Sequence, residues 1–171
     1  MDYELFFNRL QSKYHIEEFL LYLHHHPDEV ERFFELTFSV EEKRAWRMLW
    51  ALEKVSQREP ERFSKQMIER IMQMVLTTKH QGMHRIGLSI LNSFPAPEPL
   101  NVDMLNALYD WMMNPKFSIG VQSIAMKLLY KYVLTDNDLL REFIMIIEEA
   151  DESEFTAAFI SSRRNILKNH R

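Results

Sequence analysis

The fourteen residues from Gly120 to Val133 (GVQSIAMKLLYKYV) recur in altered form upstream, and this recurrence restricts the fold more than any other feature of the chain. A first copy, Gly82 to Pro95 (GMHRIGLSILNSFP), stands 38 residues earlier, with Gly87 under Ala125, Ile90-Leu91 under Leu128-Leu129 and Phe94 under Tyr132. A second, Val40 to Val55 (VEEKRAWRMLWALEKV), lies 42 residues before that and places Ala45 at the small position, Met48-Leu49 at the apolar pair and Leu52 at the close. A period near 40 residues with apolar spacing i, i+3, i+4, i+7 is what stacked helix pairs produce. The spacing therefore predicts an all-α fold, a right-handed α-solenoid.

Composition agrees with that reading. Three glycines and six prolines among 171 residues, against eleven methionines and long Leu-, Ile-, Glu- and Arg-rich runs, favour helix almost throughout. The absence of cysteine excludes a disulfide framework and thiolate metal sites. No apolar run reaches membrane-spanning length and the acidic, amphipathic start is unlike a signal peptide, so the expectation is a cytoplasmic protein without a membrane partner.

Residues 1–171 read as one domain. Residues 1–39 form divergent N-terminal helices, 40–152 the repeats, and 153–171 a C-terminal capping helix whose polar end closes an exposed core. Amphipathic helices are expected at Tyr3–Leu10, Ile16–His24 and Asp28–Phe38, with Ser12 to Tyr14 between the first two. First-row helices follow at 61–77, opened by Pro60, at 102–113, capped by Asn101, and at 139–150. They alternate with second-row helices at 40–57, 82–94, 118–134 and 155–169, the first started by a capping box at Ser39-Val40-Glu41-Glu42. The prolines at 95, 97 and 99 require a loop. Ala45, Gly87 and Ala125 are read as helix contacts, where a larger side chain would push neighbours apart.

The series RAWRMLWALEKV, HRIGLSILNSFP, GVQSIAMKLLYKYV and SRRNILKN resembles a group of small bacterial HEAT-like repeat proteins over about residues 40 to 171. That resemblance implies a HEAT/armadillo-type superhelix and a scaffold or binding role without enzymatic activity. Some members of the group carry an adenylosuccinate lyase label, but the serine-bearing GSSxMPxKxN loop of that superfamily is absent here.

Motifs for chemistry are weak. Consecutive helical residues such as His24-His25-His26 point about 100° apart and cannot converge on one ion. His80 and His84 have i, i+4 spacing but lack an HExxH glutamate and a third ligand, and no GxSxG, Walker or GxGxxG motif occurs. Trp46, Trp50 and Trp111 sit at helical spacing beside leucines, as core or groove-lining residues do. No catalytic residue, metal or cofactor is therefore expected.

Charge segregates with the repeat. Segments 40–58, 79–95, 116–134 and 153–171 hold 14 basic and 4 acidic residues, and the rest of the chain holds 7 basic and 21 acidic. Lys43, Arg47, Arg85, Lys127 and Lys131 fall at aligned positions around the small residue and are the candidate binding residues of a concave face. The expected partner is another protein, through an acidic or extended segment, and the expected state is a monomer or weak dimer. A HEAT-like DNA-binding or DNA-alkylation-repair glycosylase is the second reading, disfavoured by the net charge of -4.

Overall fold

A computed structural model describes residues 13–170, apart from the side chains at positions 13, 42, 43 and 154. The helix expected at Tyr3–Leu10 lies outside the described residues. The described part folds into nine α-helices and two 3-10 turns: α1 (Lys13–His25), α2 (Glu29–Ser39), α3 (Glu42–Arg58), α4 (Lys65–Thr77), α5 (Gln81–Leu91), α6 (Val102–Met113), α7 (Ile119–Val133), α8 (Asn137–Glu149) and α9 (Ala157–Lys168), with turns at Pro60–Arg62 and Glu152–Glu154.

Side chains at the helix starts explain most of these boundaries. Ser64, His80, Asn101, Ser118, Asp136 and Thr156 each accept a hydrogen bond from a backbone N–H in the first turn that follows, satisfying a donor that the helix cannot. Three local expectations are corrected. Pro60 opens a 3-10 turn, and α4 begins only after Ser64, whose Oγ accepts from the Met67 N–H. Ser39 forms no capping box: it is the last residue of α2 and its hydroxyl donates back to the Leu36 carbonyl, while Glu41 at the start of α3 makes no side-chain cap. Lys13 and Tyr14 already belong to α1 rather than to a linker.

The helices form two rows. Each odd-numbered helix touches the next odd one, from α1 through α3, α5 and α7 to α9. Each even helix packs on its odd neighbours, α2 on α3, α4 on α5, α6 on α7, and α8 on both α7 and α9, while within the even row only α4 and α6 come comparably close. This is an α-solenoid of helix pairs. The core lies between the rows and is continuous from Phe19 and Phe33 through Met48, Leu52, Ile71, Leu88, Leu108 and Leu129 to Phe143 and Phe159, all fully buried. At about 1.5–3 kcal/mol for each such side chain, this seam is the main source of stability.

The small position does what its recurrence suggests. A methyl group on Gly87 would lie 2.4 Å from Val75 Cγ2 and 2.8 Å from Met74 Cε, so α4 and α5 meet at a distance only glycine permits. Ala45 and Ala125 are likewise buried.

A basic face on the odd-numbered row

Burial of one side of each odd helix turns the other side outward; α1 carries Glu17 and Glu18 there, but along α5, α7 and α9 the charges are of one sign. Helices α5, α7 and α9 contain no acidic residue. In α3, Glu53 is only 4% exposed, its one described cationic neighbour being Lys54 Nζ at 3.9 Å, so the carboxylate contributes little to the outward surface. The outward cations are Arg44, Arg47 and Lys54 on α3, Arg85 on α5, Lys127 and Lys131 on α7, and Arg164 and Lys168 on α9. Exposed positions of the even row carry mostly the opposite sign: beside Arg32, Lys65 and Arg141 stand Glu31 and Glu35 on α2, Glu69 on α4, Asp103 and Asp110 on α6, and Asp138, Glu142, Glu148 and Glu149 on α8.

The five candidate residues are not equivalent. Arg47 is half-buried with its guanidinium carbon 5.9 Å from the Trp46 ring centroid, a cation–π geometry that orients the charge. Arg85 is exposed and its stem lies across to α7, where its Cδ occupies space that a side chain at Gly120 would fill. Lys127 is exposed. Lys131 is engaged: its Nζ donates to the Asn92 carbonyl at 2.8 Å, capping the end of α5 from α7, and burial lowers its pKa. Lys43 stands in the first turn of α3, and its side chain lies outside the described residues.

The other motifs take structural places. His24 pairs with Glu59 at 3.0 Å and meets the exposed His25 ring edge-on with centroids 5.4 Å apart, while His26 packs on Tyr22 with ring centroids 4.4 Å apart. His80 Nδ1 accepts from the Met83 N–H at 3.1 Å, while His84 is buried edge-on to Trp111 at 4.1 Å and to Phe117 at 5.5 Å. Burial lowers the His84 pKa to about 4, leaving a neutral ring whose Nε2 has no hydrogen-bond partner among the described residues. Trp111 is core, whereas Trp46 and Trp50 are half-buried on α3 and pack against the edge of the core. Among the described residues no group of three or more His, Asp or Glu is placed to hold a metal ion.

Two contacts that position this face have no motif. Gln81, at the start of α5, donates through Nε2 to the Lys116 carbonyl at 3.2 Å and accepts through Oε1 from the Ser118 N–H at 2.6 Å, fixing the entry of α7. Ser56 and Ser93 meet at 3.2 Å between α3 and the end of α5. Each joins residues 35 to 37 positions apart, near the repeat period, and that spacing is their one sequence signal.

The two-row stack and the repeated small position meet their counterpart in the HEAT repeat domain, whose family model matches residues 6–170. The chain belongs to the HEAT repeat domain family. No curated protein and no solved structure gives a significant match. HEAT repeats commonly mediate protein interactions and are generally not enzymes. In this HEAT domain no described helix is long and apolar enough to cross a membrane.

Proposed function

We propose that the chain is a non-enzymatic scaffold that binds an acidic, extended segment of another protein along the outward face of the odd-numbered helices, with Arg47, Arg85 and Lys127 as its principal cations. The observation that carries this reading is the sign segregation: three consecutive odd helices without a carboxylate, backed by an even row rich in them. Solvation alone asks for charge of either sign, whereas a single-signed face favours encounter with the opposite sign and rejects like charge. The continuous contacts of the odd row support a concave side there, because a two-row stack curves toward the row whose members lie closer. Trp46 and Trp50, half-buried beside Arg47, add the aromatic and arginine character that dominates binding energy at protein interfaces. The scaffold acts in the cytoplasm as a monomer or weak dimer in this proposal.

Fluorescence anisotropy tests it directly, with a labelled, disordered peptide rich in Glu and Asp titrated against the full chain and a labelled DNA duplex run in parallel. The peptide is expected to bind, and to weaken as salt rises past the point where the screening length falls to about 8 Å. Duplex DNA bound more tightly than the peptide would replace the protein partner with nucleic acid; failure of both to bind at low salt would contradict the proposal.

A further inference from the structure

A cavity of about 270 Å³ lies between α4 and the loop that joins α5 to α6. The connection after α7 needs only residues 134–136, but the one after α5 runs from 92 to 101 and carries Pro95, Pro97 and Pro99. Each proline fixes a φ angle, so this wall is stiff and does not collapse into the space beneath it. Ile68 and Met72 of α4, Phe94 and Pro97 of the loop, and Tyr132 of α7 form its apolar lining. Tyr132 is 2% exposed, yet its hydroxyl makes no hydrogen bond to any described residue. This hydroxyl is not one of the fully buried unpartnered polar atoms, which are His84 Nε2, Tyr109 Oη and Ser123 Oγ, so it keeps a little accessible surface, and at the wall of a cavity a water or a ligand acceptor can satisfy it. Burial pushes the Tyr132 pKa up to about 12, so the group remains a hydrogen-bond donor at neutral pH.

The rim sets the charge of what can enter. Lys65 is 3.9 Å from Glu69, and Glu98 stands exposed on the loop, giving one ammonium and two carboxylates around the mouth. An anionic ligand meets a net negative rim. The volume is just under the roughly 300–1,000 Å³ of pockets that hold drug-sized ligands, which limits the occupant to about one ring and its substituent. The Met72 thioether favours an aromatic ring over an alkyl chain.

We propose that this cavity binds a single-ring aromatic molecule carrying a neutral hydrogen-bond acceptor such as an amide carbonyl, with the ring against Met72 and the loop and the acceptor on the Tyr132 hydroxyl. The site is independent of the basic face and needs none of its residues.

The test is a titration of the isotope-labelled full chain with benzamide, followed by amide chemical shifts, with benzoate as the charged counterpart. Benzamide is expected to shift the amides around Ile68, Ala96 and Tyr132 at millimolar concentration, and benzoate to bind at least about 3-fold more weakly. Tyr132→Phe keeps the ring and removes the donor, so it should weaken benzamide about 3- to 10-fold. Ala96→Phe and Ile68→Trp fill the cavity from opposite walls and should each abolish the shifts; circular dichroism identifies which of the two remains folded. No shift near these residues, binding that persists in a folded cavity-filling variant, or equal affinity in Tyr132→Phe would overturn the proposal.

Discussion

The two rows of helices are built from the same repeat but treat their charges differently. On the even row, cations are neutralised nearby: Arg70 pairs with Glu35 while lying 4.7 Å from the Phe38 ring, Arg141 pairs with Asp138 at 3.0 Å, and Lys65 stands 3.9 Å from Glu69. On the odd row the cations at the two ends are paired, Arg58 with Glu17 at 2.7 Å and Arg163 and Arg164 with Glu152 at 2.7 and 2.9 Å, whereas Arg47, Arg85 and Lys127 between them meet no carboxylate among the described residues. The lesson is that a positive potential survives in the middle of the odd row, where no local partner cancels Arg47, Arg85 and Lys127. The same row is also the more closely packed, so its small residues and its free cations occupy opposite sides of the same helices.

Packing on the odd row should therefore fail before anything on its surface matters. Gly87→Leu is expected to cost about 3 kcal/mol, the upper end for overfilling, because its first added carbon already meets Val75. Gly120→Ala should stay within about 0.5 kcal/mol, since the carbon it meets belongs to the flexible stem of Arg85. Chemical denaturation ranks the two, and equal costs would remove the distinction between inner and outer sides of the row.

His84 sharpens the comparison at the contact between the rows. Its pKa falls from 6.5 to about 4 through burial, so as pH drops the unfolded chain takes up this proton before the folded chain does. Stability is lost as pH falls from about 6.5 to about 4 and levels off below that window. The expected contribution is about 2–3 kcal/mol between pH 7 and pH 4, seen as the extra slope of wild type over His84→Met in denaturation at several pH values. Equal slopes would mean that the ring is not held neutral by burial.

Smaller effects follow at the other small position and along the cations. Ala125→Leu should destabilise by about 1–2 kcal/mol at its fully buried site. Lys131→Met should cost about 0.5–1 kcal/mol by removing the cap on α5, whereas Lys127→Met should be near zero. Thermal melts showing the reverse order would put Lys127, not Lys131, in the structural role.

The sequence carried the architecture well because a repeat writes its register more than once: Ala45, Gly87 and Ala125 mark the same inward position on α3, α5 and α7. Boundaries were less legible where two local signals compete. Pro60 suits a helix start, but Ser64 supplies the cap; Ser39 fits a capping box, but its hydroxyl turns back to Leu36. The sign of the odd face was readable from composition by segment. Which of its cations are occupied was not, since the Lys131 cap on Asn92 joins residues of different repeats. The same limit affects controls. Arg62, Lys65 and Arg70 look alike in sequence as even-row cations, yet Arg62 is tied to Glu59 and Arg70 to Glu35 and two phenylalanine rings, so reversing them would disturb folding.

A matched pair of charge reversals reads the difference between the rows most directly. One variant carries Arg47, Arg85 and Lys127 to Glu, the other Arg32, Lys65 and Arg141 to Glu, so both change net charge equally. Affinity for the acidic peptide is measured in each at fixed salt, after circular dichroism has shown both to be folded. The odd-row variant should lose binding while the even-row variant stays close to wild type. Equal loss in the two would attribute binding to net charge, and retained binding in the odd-row variant would contradict the basic face as the site of interaction.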